Sequence, residues 1–472
     1  WRKEGQGWRW ESDGGGSYTI EPAEGLRRGT KVVVKLKGEA GEFSLAERVE
    51  GALKRYSAFV PFPIYLNGKQ VNTVQALWLK PREGIKEEEY VEFYKYHAHR
   101  NEEPLMWLHF SVDAPLQVYA LLYVPSRNLE RMGFGRMGTS VSLYCRKILI
   151  EQSPRGLLPE WLRFVHGVVD SEDLPLNISR EAPQDRALIE KIGRVLTRRF
   201  LKFLEEMAVK DTEKYGKFIR EFGFFLKEGA ATDVVNRESL LSLLRFESSF
   251  LDVGKMTSLS EYVDRMKPGQ EEIYYLVGNG RKMLEESPFM EGMKERGLEV
   301  LYCYDAVDEI VFENAREFAK KRFASADRAG LNLVGLEAPE AEGGLDREAG
   351  EELVRWLKSE LGDRVMNVRI SRRLKDSPVM ALLEKDEPSV LMRRAMKAWN
   401  PEIEVPPLRV SLEINAAHSV IKKLHELLRR DKGRALLVAN QLFDGALLAA
   451  GLVEDPVGMA KRMFEFVAKV GE

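Results

Sequence analysis

Cysteine is almost missing from this chain: Cys145 and Cys303 are the two present among 472 residues. So few exclude a disulfide scaffold and any zinc site built from cysteine, and they fit a reducing compartment. Histidine is scarce too, at six residues. His97 and His99 fall in a run expected to be helical, with no carboxylate or cysteine at ligand spacing, so a surface role is expected. His418 and His425 share a helix face without further ligands and are expected to be structural, so no metal site is expected. No run approaches the roughly 18–20 apolar residues that span a bilayer, and no charged-then-apolar leader is visible. An excess of one charge is also lacking: 72 Lys+Arg stand against 74 Asp+Glu, a net charge of -2. Bulk electrostatic capture of nucleic acid or of an anionic membrane is therefore not implied. Nor is there a G-x-x-x-x-G-K-[ST] phosphate loop, since "GNGRK" at 278–282 lacks its spacing.

What is present describes a globular protein too long for one core. With 44% hydrophobic and 31% charged residues, 472 residues imply two to four domains at about 100–200 residues each. The chain begins at Trp1 without a Met and runs almost at once into strand-like "SYTIEP" and "TKVVVKLKG", so it is expected to start inside a domain. Strands are expected at 17–20 and 31–36, a helix at 43–57, and then a strand ending in an Asn67-Gly68 turn. From Trp78 to about 185 the text mixes a helix, "EEEYVEFYKYHAH", with strands "LMWLHFSV", "QVYALLYV" and "SVSLYCRKILI". Residues 186–209 carry Leu188, Ile189, Ile192, Leu196, Phe200, Phe203 and Leu204 on one helical stripe. Strand, helix, strand over 273–305 points to a right-handed parallel crossover. The Gly-, Ala- and acid-rich 326–346 is the linker candidate. Beyond it are expected a helix at 347–361, strands near 365–371 and 378–384, a helix at 389–399 and three closing helices from about 416.

Two motifs bear on chemistry. Gly133-Phe-Gly135-Arg-Met-Gly138 matches a dinucleotide fingerprint on paper, but that fingerprint must open a helix, and the text after it is strand-like. The expectation is a flexible loop, with a dehydrogenase as a distant reading. The run "HGVVDSEDLPLNISREAPQDRALI" (166–189) reads as a loop between a strand and a long helix, a place that can hold a cation at a rigid position. On composition alone Arg180 within it is a surface or capping residue.

That run also carries a resemblance. "RFVHGVVDSEDLPLNISRE" (163–181), "VSLYCRKILI" (141–150), "MTSLSEYVDRMKPGQEEIYYLVG" (256–278) and "SPFMEGMKERGLEVLYCYDAVDEI" (287–310) closely resemble the heat-shock protein 90 chaperones, in family order and over practically the whole chain. The text is most like the mitochondrial branch, since "YSAFVPFPIYLNGKQVNTVQALW" (56–78) lacks a long acidic linker and the chain ends "AKVGE" rather than MEEVD; a bacterial-type homologue is the alternative. The resemblance implies an α+β and α/β multidomain protein: the end of an ATP-binding α/β sandwich at 1–68, a two-part α/β middle domain at 69–330 (larger part to about 246, smaller part about 256–330), and a mixed C-terminal domain at 331–472 ending in a helical dimerisation bundle. It implies an ATP-dependent homodimeric clamp for partly folded client proteins, in the mitochondrial matrix or alternatively the cytoplasm. ATP with Mg belongs to the complete protein. The catalytic Glu, the Mg-holding Asn, the adenine-binding Asp and the lid are expected upstream of Trp1, so this chain alone is expected to bind no cofactor and to hydrolyse nothing. The alternative function is a non-catalytic client-binding and dimerisation module.

Residue by residue, the resemblance makes Thr30 the hydroxyl beside the adenine and Arg180 the cation reaching the ATP γ-phosphate, with Gln184 as its companion. A guanidinium delivered from another domain both neutralises charge on the γ-oxygens and reports that ATP is present. The chain departs from the family at Ala182-Pro183, where Pro183 biases Ala182 away from the helical region and weakens the expectation for Gln184. Met392, Met396 and Trp399 share a helical face at i, i+4 and i+7, and flexible thioethers suit varied apolar clients. A core stripe fits the same spacing; the resemblance favours client contact at Met392 and also suggests Trp78, for which a packed role is equally open. "RALLVANQLFDGALLAAG" (434–451) is apolar almost all round, so Leu442, Phe443, Leu447 and Leu448, with Met463 and Phe466 of the last helix, are expected at a dimer interface, with Gly451 as a C-cap and Asp455-Pro456 opening the last helix.

Overall fold

The computed structural model describes residues 7–72, 75–133, 135–174, 183–331, 343–385, 387–400, 402–403 and 408–470. The chain divides into two compact units, Trp1–Ala76 with Cys145–Ile150, and Leu77–Tyr144 with Glu151–Glu472. In the first, β1 (Gly7–Glu11) and β2 (Thr19–Ala23) pair as an antiparallel hairpin, followed by α1 (Ala46–Ser57). A second hairpin joins β3 (Tyr65–Leu66) to β4 (Lys69–Gln70). Its Asn67-Gly68 turn is the expected one: φ is 50° and 82°, the left-handed backbone a two-residue hairpin loop needs and that Asn and Gly tolerate. Residues 31–36, expected as a strand, pair with no strand among the described residues and leave Val32, Val33 and Val34 exposed. Apolar β-branched text becomes a strand only where a neighbour completes the ladder.

The second unit opens with α2 (Glu87–Ala98), β5 (Pro104–Val112) and β6 (Val118–Pro125); next in the chain come β7 (Ser140–Cys145), whose last residue counts with the first unit, β8 (Ile148–Gln152), which counts with the first unit as far as Ile150, and β9 (His166–Asp170) of the second. β6 is buried along nearly its whole length and pairs antiparallel with β5 and β9, while β9 runs parallel to β7. The approach of β9 to β6 requires a glycine: a Cβ on Gly167 would stand 2.1 Å from the Leu121 carbonyl oxygen. Strand β7 follows Gly138 where a dinucleotide site needs a helix, which removes the dehydrogenase reading. His97 corrects its expected surface role. Its Nε2 bonds the Gly167 carbonyl at 2.9 Å and its ring stacks on Phe93, and burial holds the imidazole at about 4, neutral at pH 7.

Helices α3 (Pro183–Lys210), α4 (Thr212–Thr232) and α5 (Arg237–Leu243) follow. The expected stripe of α3 is buried at Ile189, Ile192, Leu196, Phe200 and Leu204 and half-buried at Leu188 and Phe203. Asp211 caps α4 by accepting from the Lys214 N–H at 2.9 Å, and Phe222 of α4 stacks on Phe164 with ring centroids 4.7 Å apart.

The α/β part consists of β10 (Glu247–Ser248), α6 (Leu259–Asp264), β11 (Glu272–Val277), α7 (Arg281–Glu285), α8 (Glu291–Glu295), β12 (Leu301–Cys303), α9 (Ala306–Ala315), β13 (Glu317–Phe318) and β14 (Lys321–Ser325). Its sheet order is β10-β12-β11-β14-β13, with β11 parallel to both β12 and β14, as the crossover reading expects. The last part is α10 (Arg347–Leu361), β15 (Val368–Ile370), β16 (Val379–Leu383), α11 (Val390–Trp399), β17 (Val410–Ile414), α12 (Ser419–Arg430), α13 (Lys432–Ala449) and α14 (Pro456–Val470). The central strand of its sheet, β17, is the element the sequence reading missed. Alternation along β16 sends Val379, Ala381 and Leu383 into a core with α10, α12 and α13, and Met380 and Leu382 into the core under β11. Of the expected linker, 332–342 lies outside the described residues. Its start is packed instead: Ala326 is fully buried and the Ala329 N–H donates to the Leu383 carbonyl at 2.9 Å.

Candidate functional site

Residues 175–182, which include Arg180, lie outside the described residues, between β9 with its exit and helix α3. Gln184 is described only as a member of the first turn of α3. That helix starts at Pro183, earlier than expected, because a proline at the first helical position loses no internal hydrogen bond and brings its φ preset. On the other side, Asp170 ends β9 with 2% exposure, the Ser171 N–H donates to the Tyr144 carbonyl at 3.1 Å, and the Asp173 carboxylate accepts the Gln117 N–H at 2.8 Å. Leu174 is buried. Thr30, in the first unit, is exposed.

Trp78 belongs to the anchor at Asp170. It is 1% exposed, its indole N–H donates to Asp170 Oδ2 at 3.1 Å, and its ring lies 5.2 Å from Tyr144 and 5.9 Å from Phe93. Behind it the His109 ring nitrogens bond the Trp78 carbonyl at 3.0 Å and the Tyr90 hydroxyl at 2.8 Å, and burial lowers the His109 pKa. In this conformation Trp78 is a packed residue whose polar edge is spent on the strand that leads toward Arg180.

Helix α11 presents a graded face. Met392 and Met396 are half-buried and Trp399 is 78% exposed. Ser389 caps the helix by accepting the Met392 N–H at 3.2 Å. Arg393, expected off the stripe with Arg394 and Lys397, is buried among carboxylates, while Arg394 and Lys397 are exposed.

The two closing helices divide into an inward and an outward face. Phe443 is 3% exposed inside the chain's own core, and Leu442, Leu447 and Phe466 are half-buried. Leu448, Met463, Phe464, Val467 and Val457 are exposed. The hinge between the helices is as expected: Gly451 adopts φ 70° and the Asp455 side chain accepts the Gly458 N–H at 2.8 Å behind Pro456. Arg462 grips the buried Asp444 with two bonds of 2.7 and 2.8 Å, fixing α14 on α13. Sequence reasoning missed Phe464 and Val467, although their spacing on α14 was available. Among the described residues no group of His, Cys, Asp and Glu is placed to hold a metal, and no helix is long and apolar enough to cross a membrane.

A family model described as Hsp90 protein matches residues 67–471. The chain belongs to the Hsp90 family. It is 48% identical over 465 residues to the chaperone protein HtpG of Desulfitobacterium hafniense, covering 98% of this chain and 75% of that protein. It is 40% identical over 479 residues to the mitochondrial heat shock protein 75 kDa of Rattus norvegicus, covering 99% and 68%. The mitochondrial TNF receptor-associated protein 1 homolog of Dictyostelium discoideum is 39% identical over 462 residues, covering 97% and 65%. As a member of the Hsp90 family the chain is a chaperone, and the mixed α/β multidomain architecture agrees with that membership.

Proposed function

We propose that this chain is the client-holding and dimerising part of an ATP-driven homodimeric chaperone, with Arg180 as its sensor of the ATP γ-phosphate. The observation that carries the client reading is the graded Met392, Met396, Trp399 face of α11, which ends in an indole 78% exposed. The outward apolar face of α13 and α14 supports the dimer. ATP is the substrate of the complete protein and supplies the free energy of closure. On this chain Thr30 would meet the adenine side, and Arg180 with Gln184 the phosphates. A cation brought to the γ-oxygens from a separate domain makes hydrolysis depend on domain closure.

Within the family we favour the bacterial type over the mitochondrial one, on 48% and 45% identity to HtpG proteins against 40% to the rat mitochondrial protein, which turns the compartment from the matrix to the cytoplasm. With Cys145 and Cys303 the only cysteines in the sequence, and both buried, the chain suits that reducing setting. The test is ATP turnover by the complete protein beside this chain. Arg180→Ala in the complete protein should spare ATP binding and slow hydrolysis by up to roughly 10³-fold, and this chain alone should hydrolyse no ATP. Steady turnover by this chain alone, unchanged by Arg180→Ala, overturns the assignment.

A further inference from the structure

The helix offered to clients is held at its N-terminus by charges from both sides. The N–H of Ser389, the α11 cap, donates to both carboxylate oxygens of Glu309 at 3.0 and 3.2 Å. Glu309 lies on α9, is 2% exposed, and is paired at 2.6 Å with Nη2 of Arg328. Arg328 donates in turn to the carbonyls of Glu384, at 3.0 Å, and Glu387. The carboxylate of Glu387, 5% exposed, meets Arg409 and stands 3.6 Å from Nη1 of Arg393 on α11. Arg393 then reaches Glu454 at 2.7 Å, in the connection between α13 and α14. Two ionic groups result, Glu309 with Arg328, and Glu387 with Arg409, Arg393 and through Arg393 Glu454, and the bond from Arg328 to the Glu387 carbonyl ties them together.

A buried charge that loses its partner costs several kcal/mol, so a balanced chain of this kind resists losing one member at a time. The links cross between elements: an ion pair joins α9 to Arg328 in the segment after β14, hydrogen bonds from Arg328 to two backbone carbonyls join that segment to the loop before α11, and the Arg393 ion pairs join α11 to that loop and to the connection before α14. An independent displacement of α9 would strand the buried Glu309, one of α11 would part the buried Arg393 from Glu387 and Glu454, and one of the α14 lead would cost Arg393 one of its two carboxylates, whereas a concerted displacement need lose none of these.

We propose that Glu309, Arg328, Glu387, Arg393 and Glu454 form a coupling element that makes α9, the client-facing α11 and the lead into the dimerising α14 move as one. The residues are positioning residues: they touch no client and act through the placement of α11. The inference rests on the reading of α11 as a client surface for its functional meaning, but not for its geometry.

Hydrogen–deuterium exchange on the intact chain tests it. Glu454 is half-exposed on its side chain, so Glu454→Gln should leave the fold intact. It should speed amide exchange in 390–399 and in 306–315 by roughly three- to tenfold, the size of one lost partly exposed charged contact, with 419–430 unchanged. Glu309→Gln should speed exchange in 390–399 and in 452–458, and the two variants together should be clearly non-additive. Faster exchange confined to the residues around 454, or strict additivity, overturns the coupling. Restoration of slow exchange by Glu454→Asp supports it. Client affinity of Trp399→Ser, a side chain outside the network, separates the two ideas: if affinity is unchanged the client reading of α11 fails while the exchange result still judges the coupling.

Discussion

Phe464→Ser is the sharpest probe of the dimer surface. Phe464 is 65% exposed on α14. Taking a phenylalanine side chain as roughly 200 Å², about 130 Å² of it is open. At about 25 cal/mol per Å², a partner that covers it completely gains about 3 kcal/mol. A two-fold interface makes the same contact twice, so full coverage gives about 6 kcal/mol and half coverage about 3 kcal/mol. The substitution should therefore weaken the dimer by at least roughly 100-fold in Kd, while leaving the thermal stability of the monomer almost unchanged. Phe443→Ala should do the opposite. Phe443 is 3% exposed within the chain's own core, and a cavity there should cost about 3–5 kcal/mol of folding stability. Sedimentation over a nanomolar-to-micromolar series, paired with thermal unfolding, reads both. An unchanged Kd for Phe464→Ser, or a wild-type chain already monomeric at micromolar concentration, refutes the assignment of this face.

Trp399→Ser should lower client affinity, read by titration with a partly folded protein, and leave the melting temperature within about a degree, because a 78% exposed residue contributes within about ±0.5 kcal/mol to folding. Trp78→Phe keeps the packed ring but removes the donor to Asp170; a stability loss of about 1–2 kcal/mol is expected by thermal unfolding, and in the complete protein slower ATP turnover without weaker ATP binding. Glu291 supplies a pH signature. Burial pushes its carboxyl up, but the Ser377 hydroxyl and the N–H groups of Lys375, Asp376 and Ser377 together outweigh that and hold it below its ordinary 4.5. A depressed pKa means stability fully present above 4.5 and lost as the pH falls through the folded value, so Glu291→Gln should flatten the acid limb of the melting curve and leave the part near pH 7 parallel to wild type.

What could be read from the sequence follows how local its cause is. The α3 stripe, the Asn67-Gly68 turn and the Asp455-Pro456 helix start are set within a few residues, and each was legible. Strand β17 was not. Its text, "VSLEI", alternates like a half-exposed edge strand, yet all five residues are buried in the centre of a sheet. Glu413 tolerates that place because Arg369 and the Ser371 hydroxyl bond it from the neighbouring strand and the turn after it, and Arg373 lies 3.4 Å away. The partners come from 40 to 44 residues earlier, so no window around Glu413 could announce them. Residues 31–36 make the reverse error, since a run rich in valine lacks among the described residues the neighbour that would make it a strand.

The candidate site divides in the same way. The spacing of Met392, Met396 and Trp399 placed them on one face but left core and surface equally open; in the fold that face runs from half-buried at Met392 and Met396 to exposed at Trp399, and the buried position of the helix is Arg393 beside it, held by its ion pairs. Those pairs, spanning 61 residues from Arg393 to Glu454 and 80 from Glu309 to Ser389, have no periodicity and no motif. A helical stripe reports what one element offers to its surroundings. Which surroundings accept it is decided by charges distant in the chain, such as Glu387 and Glu454 about Arg393.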